Sequence, residues 1–89
     1  MRAIITVIGT DTMGIIAKIS SFLADNHINI LDISQTIMQD LFTMIMLVDL
    51  EKSDIKFDDT TDNLDKIAAE IGVTIRIQHE DIFNSMHRI

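Results

Sequence analysis

Residues 9–33 read GTDTMGIIAKISSFLADNHINILDI, and this stretch decides the fold. Gly9, Asp11 and Gly14 punctuate its start. After them Ile15, Ile16, Ile19, Phe22 and Leu23 recur at helical spacing, with Lys18, Ser21 and Asp25 on the other side. The spacing predicts an amphipathic helix ending near Asp25 or Asn26, with Asn26 as a left-handed cap. From Ile28 to Thr36 the period changes to two. Leu31, Ile33 and Ile37 then share one face, and Asp32, Ser34 and Thr36 the other.

Working outward, Ala3 to Ile8 is β-branched and mostly apolar, as an inner strand requires. Met38 to Leu41 reads as a turn, and Thr43 to Leu50 as a strand apolar on both sides. Two consecutive strands across a short gap predict an antiparallel hairpin. Glu51 to Asp54 is a polar connector. Phe57, Leu64, Ile67, Ala68 and Ile71 form a second helical stripe, with Asp58, Asp59 and Asp62 in its early turns and Gly72 where a helix-ending glycine belongs. Val73, Ile75 and Ile77 alternate with Thr74, Arg76 and Gln78, a half-buried strand. Ile82, Phe83, Met86 and Ile89 resume helical spacing in a tail too short to hold a helix without docking. The order strand, helix, strand, strand, helix, strand predicts an α+β, ferredoxin-like βαββαβ sandwich. Its four-stranded antiparallel sheet carries two helices on one face and is followed by a short C-terminal helix. One domain over 1–89 is expected, with the core in 1–80 and the helical segment in 81–89.

The totals narrow the function. A chain of 89 residues with 47% hydrophobic residues is rich in apolar side chains for its size. A thin sheet with helices on one side leaves its other face bare, so apolar surface is expected to remain for a partner. A formal net charge of −7 argues against nucleic-acid binding, which relies on Lys and Arg at phosphates. There is no cysteine, hence no disulfide, thiolate zinc site or cysteine nucleophile. No apolar run approaches the roughly 20 residues needed to span a bilayer, and the start lacks a signal peptide's apolar region. A cytoplasmic protein is expected.

The chemistry concentrates at the predicted start of the first helix. A helix start offers unpaired backbone N–H groups and the positive end of a dipole. Gly14 permits close approach to the backbone, and the N–H groups of Ile15 and Ile16 can receive a carboxylate. Asp11 can take an ammonium, and Asn29 can both donate and accept. Together these suit an α-amino acid. The same residues also suit a purely structural role. Asp11 or Thr12 can cap the helix, a bond worth about 1 kcal/mol, while Gly14 eases the turn and Asn29 ties down a loop. His27, His79 and His87 show no metal-binding spacing, and Asp40, Asp58, Asp59 and Asp62 lack the pattern of a calcium loop. Ser20, Ser21 and Ser34 have no His and acid at catalytic spacing. No metal and no cofactor are expected.

The stretch beginning GTDTMGIIAKI resembles the amino-terminal half of an ACT domain, through a Gly-x-Asp-x-x-Gly-Ile turn, the helix after it and the Asn29-Ile30 pair that opens the second strand. The phrases MRAIITVIGTD, DISQTI and LFTMIM, and the ending with IF, then M, then a final I, are similar to the stand-alone ACT proteins of the UPF0237 family. The resemblance covers essentially the full chain. It implies a side-by-side homodimer. In members that bind amino acids, the ligand touches the first loop of one subunit and the start of the second strand of the other. By position, Asp11 and Gly14 would come from one subunit and Asn29 and Ile30 from its partner. Some ligand-binding members carry Asn where Asp11 stands, and many have Pro where this chain has Met13.

Two functions follow as expectations. One is a small regulatory domain sensing an amino acid at a homodimer interface. The other is a ligand-free protein–protein interaction module, accessory to a metabolic enzyme or regulator. With no nucleophile, metal set or cofactor motif, an enzyme is not expected. The tail at Ile82, Phe83 and Met86 is expected to help cover the leftover apolar surface.

Overall fold

Burial along β1 (Arg2–Thr10) sets the architecture: Ala3, Ile5 and Val7 are buried on one face, while on the other Ile4 is buried and Ile8 exposed. A computed structural model describes residues 1–10 and 14–86. After β1 come α1 (Ile15–Asp25), β2 (Asn29–Met38), β3 (Leu41–Asp49), α2 (Phe57–Ile71), β4 (Val73–His79) and α3 (Glu80–Met86). The strands form one four-stranded sheet in the order β2-β3-β1-β4, with every neighbouring pair antiparallel. This is the βαββαβ sandwich, with a short helix after it.

The core lies between the sheet and the two long helices. Ile5 and Val7 of β1 sit level with Met46 and Met44 of β3 and with Ile77 and Ile75 of β4. Onto this layer α1 presents Ile15, Ile19 and Leu23, and α2 presents Leu64 and Ala68. Thr60 is also fully buried, its Oγ1 donating to the Lys56 carbonyl at 3.0 Å. Met44 and Met46 fill core, whereas Met38 is exposed.

Helix ends follow local chemistry. Gly72 takes φ 73° after α2 and its N–H donates to the Ala68 carbonyl at 2.8 Å, closing the helix with a left-handed residue. Asp58 and Asp59 sit in the first turn of α2, at the positive end of its dipole. The end of α1 departs from expectation. Asn26 has φ −107°, and His27 takes the left-handed conformation at φ 57°. Asn26 is held instead by its own side chain, whose Nδ2 donates to the Phe22 carbonyl at 2.9 Å.

β2 starts at Asn29 and runs on to Met38, and Gln39 and Asp40 turn the hairpin, Gln39 at φ 58°. Between Ile30 and Asp32 the pairing with β3 shifts, so Leu31 stands as an extra, unopposed residue rather than joining the row of Ile33 and Ile37. α3 lies against β1 and β4, and Arg2 pairs with Glu80 at 3.1 Å. Residues 87–89, with the expected helical position Ile89, lie outside the described residues, as do the side chains of Phe83 and Met86. Among the described residues no helix is long and apolar enough to cross a membrane.

Candidate functional site

Gly14 sets the geometry of the first loop. It caps α1 at φ 90° and ψ 1°, in the left-handed region that glycine tolerates without strain. The first backbone bond of the helix runs from the Lys18 N–H to the Gly14 carbonyl at 2.9 Å. The N–H groups of Ile15, Ile16 and Ala17 therefore lie ahead of the helical ladder, and among the described residues no side chain caps them. Among the described residues, a Cβ added at Gly14 would meet nothing within 4 Å. Ile15 is 2% exposed and anchors the helix in the core, which leaves only its amide to a ligand, while Ile16 is exposed. Asp11, with Thr12 and Met13, lies outside the described residues.

Asn29 and Ile30 sit elsewhere. Asn29 opens β2 opposite Asp49, on the sheet face turned away from the helices, and is exposed. Ile30 faces the helix side opposite Val48. Gly14 belongs to the Thr10 end of β1 and Asn29 to the Arg2 end. The 11-residue α1, about 16 Å long at 1.5 Å per residue, stands between them. One protomer therefore keeps Gly14, Ile15 and Ile16 together and holds Asn29 and Ile30 beyond the reach of a single amino acid bound there.

A groove of about 810 Å³ borders Asn29 and is lined also by His27, Asp49, Lys52 and Asp54. His27 Nδ1 meets Asp54 Oδ2 at 2.5 Å, and the Asp54 N–H donates to the Asn26 carbonyl at 3.0 Å. The α1–β2 and β3–α2 connections are thereby tied together. Nothing in the spacing of His27 and Asp54 announces this pair, which only the fold brings together. His79 plays a different part, stacking on Phe57 at the start of α2 with centroids 4.4 Å apart.

β2 is one of the sheet's two edges, and β4 is the other. Every residue of β2 is exposed save the half-buried Ile30, and Ile33 and Ile37 present apolar side chains on the helix side beyond the cover of α1. Such a row of unpaired backbone groups is a template for another strand.

Comparison with known proteins agrees with this architecture. The ACT domain family profile matches residues 2–78. A UPF0237 protein of Clostridium acetobutylicum is 61% identical over 89 residues, covering 100% of both chains. An ACT domain protein from Streptococcus pneumoniae superposes with a TM-score of 0.81 at 37% identity, covering 93% of each chain. The ligand-free regulatory subunit of aspartate kinase from Thermus thermophilus superposes with a TM-score of 0.66 at 27% identity, over 86% of this chain and 50% of that one. With its profile match, its full-length relatives and its βαββαβ sheet, this chain belongs to the ACT-domain family, and within it to UPF0237.

Proposed function

We propose that the protein is a non-catalytic regulatory domain that pairs with a second copy through β2 and holds an α-amino acid between the two. Topology carries this reading. Pairing β2 antiparallel with its own copy reverses the strand, so Asn29 of one protomer comes level with the Met38 end of the other. Met38 lies beside Leu41, and Leu41 beside Thr10, which leads into the Gly14 loop. The uncapped amides of Ile15 and Ile16 then receive the carboxylate, and the partner's Asn29 supplies a carboxamide to the same ligand. Asp11 is assigned the ammonium. The likeness to a regulatory subunit of aspartate kinase supports the regulatory reading.

A thermal-shift screen over the common amino acids tests it. A ligand at 100 times its dissociation constant stabilises by about 2.7 kcal/mol. One amino acid should raise the melting temperature, and Asn29→Ala or Asp11→Ala should each abolish the rise. A shift that survives Asn29→Ala places the ligand elsewhere. A stable dimer that no amino acid shifts makes the protein a ligand-free interaction module for an enzyme or regulator.

A further inference from the structure

The sheet face turned away from α1 and α2 has two unlike halves. Its Arg2 end is roofed: α3 lies against β1 and β4, and Ile4, which points to this face, is only 8% exposed. Toward the β2–β3 hairpin, nothing among the described residues covers it. There the register sets Thr6, Ile8 and Thr10 of β1 level with Ile45, Thr43 and Leu41 of β3, with Met38 at the corner. Ile8, Leu41, Ile45 and Met38 are all exposed. Of the charged side chains on the described strands, Arg76 of β4, level with Thr6, points into this half, whereas Asp32 and Asp49 belong to rows at the roofed end and Asp40 stands in the hairpin turn at its corner.

We propose that this half-face seats a second copy of the chain, sheet against sheet. Charge favours a copy over a basic partner. A cationic partner is drawn to Asp58, Asp59 and Asp62 of α2, on the opposite side of the molecule. Two copies at −7 each repel, and they meet most cheaply where the strands present no carboxylate and Arg76 offers a positive charge to an acidic neighbour. Rows of isoleucine, leucine and threonine suit the roughly 10 Å face-to-face spacing of packed sheets. Twofold symmetry needs only that the patch match itself.

Area sets the order of assembly. Three rows about 6.6 Å apart, across four strands about 4.8 Å apart, give a plan area of about 400 Å². One pair of half-faces thus buries roughly 800 Å², short of the roughly 1,200 Å² at which specific interfaces begin. Two pairs acting together reach it. The β2-paired dimer carries two half-faces on one continuous sheet, so the expected assembly is a dimer of dimers. The inference rests on the edge pairing proposed above for this avidity.

Light scattering over a protein concentration series, on the full chain, tests the surface. The wild type should approach the mass of four copies, and Ile45→Lys should halve it while circular dichroism stays unchanged. Thr43→Lys, a second exposed-face variant, should do the same. Ile33→Lys with Ile37→Lys probes the β2 edge separately, so the two interfaces fail distinguishably. If that edge variant leaves the mass unchanged, the edge pairing is wrong, while the halving by Ile45→Lys still decides the face. A folded Ile45→Lys chain with the wild-type mass overturns the proposal, including the case in which an unrelated protein occupies the face.

Discussion

Replacing Gly9 with alanine should destabilise the protein, although a glycine-to-alanine change in a strand ordinarily does the reverse. Gly9 is level with Phe42 of β3 on one side and Val73 of β4 on the other. A Cβ there would lie 2.7 Å from Val73 Cγ1, 3.0 Å from its Cβ and 3.2 Å from its Cα. Carbon atoms in contact rest about 3.5–4.0 Å apart. Turning the Val73 side chain moves only Cγ1, so the start of β4 must shift. Overpacking of this kind costs about 1–3 kcal/mol. Without the clash, alanine would gain about 0.4–1 kcal/mol by restricting the unfolded chain, so the sign alone discriminates. In a domain of this size each kcal/mol moves the melting temperature by about 4–8 °C. Melts of wild type, Gly9→Ala, Val73→Ala and the double variant form a cycle. Val73→Ala removes the nearest atom, so the double variant should be less destabilised than the sum, by about 0.5–1.5 kcal/mol. A Gly9→Ala chain at least as stable as wild type, or a strictly additive pair, would refute the register between β1 and β4.

Gly14→Ala should also destabilise, through a different cause: there is room for the methyl, but φ 90° is strained for an L-residue by about 1–2 kcal/mol, which a lowered urea midpoint at unchanged slope would register. Gln39→Gly should stabilise by about 1 kcal/mol, because Gln39 holds φ 58° at the first position of a two-residue hairpin turn where glycine is preferred, and a rise in melting temperature checks it.

Most of the fold was legible because its periods are strong. The stripe from Ile15 to Leu23 and the alternation from Val73 to Ile77 each admit one secondary structure, and Gly72 marks its helix end by the conformation only glycine enters freely. Legibility failed where tertiary geometry chose between local options. Asn26 is the better left-handed residue by propensity, yet its side chain is used on the Phe22 carbonyl and His27 takes the positive φ. The shift at Leu31 was invisible, since a strand with an extra residue has the same composition as one without. At the candidate site the sequence set out Gly14, Ile15, Ile16, Asn29 and Ile30. The pattern in one chain does not say that α1 separates the first three from the last two, a fact of layout that only the register displays.

The central place of β1 has a consequence for how the protein is made. Its two neighbours are β3 and β4, and Ile5 meets Ile77 only across most of the chain. Translation proceeds at about 5–20 residues per second, so β1 waits several seconds for its second flank to emerge. Throughout that interval the future middle of the sheet is a naked margin. Until β4 arrives the domain is a three-stranded piece whose middle strand lacks one flank, and its bare edge invites foreign strand pairing most just before that last strand appears.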